Sequence, residues 1–149
     1  MDNIAFFNRV TLALFDELYS AFPTPLDLKT LSIAMSVISE APECDEIRNC
    51  LQAADDAIDF LAQEGFLTHQ GKYLEGGTFL QVRLTLKGLA ILGTVPDVLE
   101  EQQSLIDRIR KVLAGGAKEA ASETVKSLTQ YAFAAAVASN SAMLAVVAK

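Results

Sequence analysis

The chain of 149 residues has no tryptophan, one histidine, two cysteines and four prolines. Hydrolysis by a Ser-His-Asp or Cys-His arrangement needs a histidine held beside its nucleophile, and His69 stands alone on a strand-like stretch, so it reads as a solvated strand residue. One histidine with Cys44 and Cys50 does not supply a tetrahedral zinc set. On a helix a spacing of six residues turns one thiol through roughly 240° net relative to the other, so they face different sides and are not expected to pair there. No Asp-x-Asp-x-Asp-Gly calcium loop occurs, and neither Gly76-Gly77 nor Gly115-Gly116 belongs to a phosphate-cradling pattern. Neither an enzyme nor a bound cofactor or metal is therefore expected. The first ten residues, MDNIAFFNRV, carry acid before base and no cleavage-site pattern, which makes a reducing, cytoplasmic compartment the expectation.

Hydrophobic residues make up 51% of the chain, which excludes a disordered polypeptide. At this length one domain buries roughly two-thirds of the surface its unfolded chain exposes. The formal charge is −7 and is concentrated in one place. Between Glu40 and Glu64 lie eight of the 19 acidic residues and only one of the 12 basic ones, Arg48; elsewhere the signs balance.

Helical spacing of Phe7, Val10, Leu14 and Leu18 predicts a first helix from an Asn3 cap to about Ala21, where Phe22-Pro23-Thr24-Pro25 stops it. A second helix, capped by Asp27 or Thr30, is expected through Leu28, Leu31, Ile33, Ala34, Val37 and Ile38, ending at Ala41-Pro42. The acidic segment forms a third, with Ile47, Leu51, Ala54, Ile58 and Leu61 on its apolar face and Gly65 as its terminator. Asp55 and Asp59, four residues apart on that helix, could touch one cation, but helical carboxylates ordinarily form a solvated face.

Then comes GFLTHQGKYLEGGTFLQVRLTLKG, Gly65 to Gly88. Leu80, Val82 and Leu84 alternate with Gln81 and Arg83 as a strand with one buried face should, Gly76-Gly77 permits the turn, and Thr85 can cap a short helix from Leu86. An amphipathic helix ending in Ala62-Gln63-Glu64-Gly65-Phe66-Leu67, a hairpin, and then Val82-Arg83-Leu84-Thr85-Leu86-Lys87-Gly88-Leu89 resembles the recognition helix, wing and following helix of the winged-helix superfamily, over about residues 4–95. The resemblance implies a fold and leaves the function to the residues. DNA recognition places such a helix in the major groove and neutralises phosphates with basic side chains. Here the helix would bring Asp55, Asp56 and Asp59 toward phosphate, against Arg48 on the helix and Lys72, Arg83 and Lys87 on the wing.

Beyond Pro96 the chain changes character. Val98, Leu105, Ile106, Ile109, Val112 and Leu113 predict an amphipathic helix, followed by an alanine-rich segment whose residues 131–148, YAFAAAVASNSAMLAVVA, carry no charge. That length only just reaches a bilayer span, and Ser139-Asn140-Ser141 at its centre opposes insertion. A stripe of Tyr131, Ala134, Ala138, Ala142 and Ala145 suits close helix packing, on the protein's own body or on a second copy.

The sequence thus predicts a mainly α protein with a small β-hairpin: a winged-helix-like body over 1–95 and a C-terminal helical extension over 97–149 for docking or oligomerisation. The expected role is non-enzymatic regulation or adaptation through protein contacts. A basic partner protein is expected at Glu43, Glu46, Asp55, Asp56 and Asp59, and self-association at the C-terminal stripe. Three alternatives stay open: a transcription regulator touching DNA through Lys72, Arg83 and Lys87, an acidic inhibitor or immunity protein, and a membrane-associated protein held by its tail.

Overall fold

A computed structural model describes residues 3–38, 44–73, 77–95, 103–116 and 119–147, with side chains of the third helix described from residue 46 and of the last helix up to 138. Glu43 and the side chains of Ala142 and Ala145 therefore lie outside the described residues. The elements run α1 (Asn3–Ala21), β1 (Leu26–Lys29), α2 (Thr30–Val37), α3 (Cys44–Gln63), β2 (Leu67–Thr68), β3 (Thr78–Leu84), α4 (Leu86–Leu92), α5 (Leu105–Leu113) and α6 (Ser122–Val147). The protein is mainly helical with a small antiparallel sheet, as the sequence predicts.

α1 is the central post. Of its expected stripe Val10, Leu14 and Leu18 are buried while Phe7 is only half-buried, and Phe6, Leu12 and Phe15 are buried as well. Such width follows from its neighbours, because α2, α3, β3, α5 and α6 all pack against it. Even Arg9 is buried, its guanidinium donating to the Ala120 carbonyl at 2.7 Å and to Ser122 Oγ at 3.1 Å. A buried cation needs such partners.

The second helix is shorter than its apolar spacing suggests. Leu26–Lys29 is a strand on the outer edge of β3, giving a sheet of order β1-β3-β2, and α2 starts only at Thr30. The strand occupies backbone groups of β3 that would otherwise lack a partner. Neither expected cap acts as one: Asp27 Oδ1 accepts from the Gln81 amide at 3.0 Å, and the buried Thr30 hydroxyl donates to Asp55 Oδ1 at 2.7 Å.

A bulge also corrects the expected alternation along β3. Leu26 pairs with Val82 but Leu28 with Phe79, so two steps on β1 face three on β3, and Gln81 takes φ +54° in the process. The extra residue shifts the inward face. Phe79, Val82 and Leu84 are buried and Arg83 is exposed, whereas Leu80 is only half-buried.

α3 ends as the sequence requires. Gly65 adopts φ +85°, the Phe66 amide donates back to the Leu61 carbonyl, and the Gly65 amide donates to that of Ala62, a Schellman arrangement. Thr85 then caps α4, accepting from the Gly88 amide at 3.0 Å while its hydroxyl donates to the Gly65 carbonyl. Gly88 lies so close to the Phe66 carbonyl that no Cβ fits there.

α5 and α6 share the core of the body. Leu105, Ile106 and Ile109 of α5 and Val125, Leu128, Ala132 and Ala136 of α6 are buried in one cluster with α1. Arg110 of α5 reinforces this docking, with Nε 3.1 Å from Asp16 Oδ1 and its guanidinium over the Tyr19 ring.

Candidate functional site

The acidic helix α3 and the β2–β3 hairpin, residues 67–84, which is the expected wing, form one face. Ala54, Ala57, Ile58 and Leu61 point α3 inward. Its carboxylates therefore fan out in different directions. Asp55 turns toward α2, where it accepts from Thr30; Asp56 is exposed beside Gln52, whose Nε2 donates to it at 3.0 Å. Asp59 turns toward the wing, 3.4 Å from both His69 Nε2 and Lys72 Nζ. Glu46 is exposed near the start of the helix, as is Arg48.

His69 is consumed by this junction. Its Nδ1 accepts from the Gly71 amide at 2.9 Å, which places the proton on Nε2, facing Asp59, and its ring meets Phe79 edge-on. Lys72 sits over the Phe79 ring as well as beside Asp59. Lys87 donates to the Glu64 carbonyl at 3.1 Å and lies over Phe66, while Arg83 is exposed on the sheet. Two of the three expected wing cations are thus engaged within the protein. Among the described residues no group of three or more His, Cys, Asp or Glu could hold a metal ion.

The C-terminal stripe divides between two environments. Tyr131 is half-buried against the core, whereas Ala134 and Ala138 are exposed on the side of α6 turned away from it. Among the described residues no helix is long and apolar enough to cross a membrane.

Sequence reasoning missed a concavity on the other side of α3. Between α1, the end of α3 and α6 runs a groove of about 490 Å³. Its floor is a chain of aromatic rings: Phe7 stacks on Phe133 at 5.7 Å, Phe133 meets Phe66 at 5.6 Å, and Phe60 stands edge-on to Phe7 at 5.6 Å. Ile4 and Val137 form exposed apolar walls, 65% and 64% accessible. From α6 come Lys126, Gln130, Phe133 and Val137, one stripe at helical spacing, and this periodicity was the only signal the sequence held. Three segments far apart in the chain, α1, the exit of α3 and α4, build the rest.

The chain matches no protein-family model, no curated protein and no solved structure.

Proposed function

We propose that this is a non-enzymatic, winged-helix-like regulatory or adaptor protein of the cytoplasm, which acts through protein contacts and meets a basic partner at the α3–wing face. The reading is supported by the order of α3, the β2–β3 hairpin and α4, which matches the resemblance in the sequence. One observation carries the choice of partner: Lys72, the wing cation nearest the helix, is paired with Asp59 and Lys87 is held by the Glu64 carbonyl, which leaves Arg83 and Arg48 as the exposed cations against a segment, residues 40–64, that holds eight acids and a single base. Phosphate approaching this face meets carboxylates, and a basic protein surface meets complementary charge. An inhibitor of a basic toxin would use the same electrostatics.

The test is a paired titration at about 50 mM salt, where non-specific phosphate attraction is strong. Mixed-sequence duplex DNA should bind weakly and a lysine-rich peptide measurably, and the double variant Glu46→Lys, Asp56→Lys should reverse that preference. Micromolar duplex binding by the unaltered protein, with a steep salt dependence, overturns the reading in favour of a DNA-binding regulator.

A further inference from the structure

The groove beside α1 contains an amide in an unusual position. Asn8 is only 7% accessible, it lines the groove, and among the described residues its carboxamide makes no hydrogen bond. Its polar atoms are not sealed from solvent, so they are open to a ligand that enters the groove. A second cavity of about 380 Å³ adjoins the groove, and Ile4, Asn8 and Lys126 line both. These three residues therefore stand where the two spaces meet.

The charge there runs against that of the protein. On a chain of net charge −7, the groove presents Lys87 and Lys126 against Glu64 alone. The adjoining cavity presents Arg9 and Lys126 against Glu123. Arg9 is held by Ala120 and Ser122, and Lys87 by the Glu64 carbonyl. Lys126 is exposed and enters none of the ion pairs among the described residues. An apolar hollow of this volume, with a few convergent polar groups, has the form of a small-molecule site.

We propose that the groove binds a small amphipathic anion, a medium-chain aliphatic or aromatic carboxylate. The apolar body lies along Phe7, Phe60 and Phe133, and the carboxylate accepts from the Asn8 amide and the Lys126 ammonium. A cationic head would meet the wrong sign, and a wholly apolar ligand would gain nothing from Asn8 or Lys126.

Decanoate titrated into the full chain below its micellar range, followed by calorimetry and amide NMR, tests this. One-to-one saturable binding is expected. Decanol, with the same chain and no charge, should bind about tenfold or more weakly, and Lys126→Met should cost decanoate a similar factor, the scale of a charge-assisted hydrogen bond. Asn8→Leu should melt close to the temperature of the unaltered protein yet bind decanoate more weakly, because it removes the donor while an apolar side chain of similar size fills the same place. Val137→Trp, at an exposed wall position, should block binding without lowering the melting temperature. Unsaturable binding, equal affinity for decanol and decanoate, or affinity unchanged in both Lys126→Met and Asn8→Leu overturns the proposal. Decanoate binding that survives in a folded Val137→Trp overturns it too.

Discussion

α3 and α6 lie on the same core, yet their sequences specify their orientation very differently. α3 marks its inner face with Ile58 and Leu61 and its outer face with Glu46, Gln52, Asp56 and Gln63, so only one rotation buries the apolar residues and leaves the charges wet. Its orientation is dictated from within. α6 carries small apolar residues nearly all round beyond Lys126, so several rotations are almost equivalent by hydropathy. Its neighbours decide instead: Val125, Leu128, Ala132 and Ala136 face the core, while Ala134 and Ala138 face outward. A helix rich in alanine is oriented by where a close approach is required, and periodicity does not record that requirement.

Glutamate substitutions on α6 should break the equivalence most forcefully. Ala132 is wholly inaccessible, so Ala132→Glu places a large, unpaired charge into a packed site and should cost about 4 kcal/mol or more, enough to abolish cooperative unfolding or lower its midpoint severely. Ala138→Glu, six residues further on and on the exposed side, should stay within about 0.5 kcal/mol of the unaltered protein. Thermal and denaturant melts of the two compare them directly. Because the second variant folds, its mass in solution also tests self-association cleanly: a lower mass supports contact between copies at this stripe, and an unchanged mass removes it.

At the exit of α3 the expected effect is smaller. Gly88→Ala drives a methyl group into the Phe66 carbonyl, which belongs to the backbone leaving the helix and cannot swing aside. Overpacking of this kind costs about 1–3 kcal/mol, read as a shift of the denaturant midpoint at constant slope. Substitution at Gly77, where a Cβ meets nothing, provides a contrast in which only the φ of +82° is strained.

Much of this end of the molecule is legible in the sequence. Gly65 as terminator, Thr85 as cap and the opposed exposure of Arg83 and Leu84 all follow from local chemistry, because each depends on residues within a few positions. β1 is not legible, because Leu28 and Ile33 fit a helical spacing as well as a strand followed by a helix, and what decides is the unpaired edge of β3, some fifty residues away. The bulge at Gln81 is hidden for the same reason. The carboxylates of α3 are legible as charge but not as direction: Asp55 and Asp59 are spent on α2 and the wing. The groove is least legible of all, since Phe7, Phe60, Phe66 and Phe133 each read as ordinary core residues until three helices and the turn after α3 bring them together.

Within α3 itself, adjacent acids should separate by direction. Asp55→Ala leaves the fully buried Thr30 hydroxyl without its acceptor and should cost about 2 kcal/mol, whereas Asp56→Ala loses only a hydrogen bond on an exposed surface and should cost less than about 0.5 kcal/mol. Chemical melts of the pair decide it. Equal losses would mean that Asp55 stabilises through the charge of the helix as a whole and not through Thr30.

A small change in stability is also expected at Asp59, and it bears on function. Asp59→Asn removes a partly exposed ion pair with Lys72 and weakens the contact with His69, so melts should move by less than about 1 kcal/mol. Lys72 is then released from its carboxylate, and the α3–wing face becomes less negative. If repulsion by the helix as a whole governs that face, mixed-sequence duplex should still bind weakly at about 50 mM salt, with a salt slope steeper by no more than about one phosphate contact. A jump to micromolar affinity on this single substitution would reverse the weighting: the wing would then suffice for nucleic acid once freed, and the acidic helix would act as its mask, not as the docking surface of a basic protein.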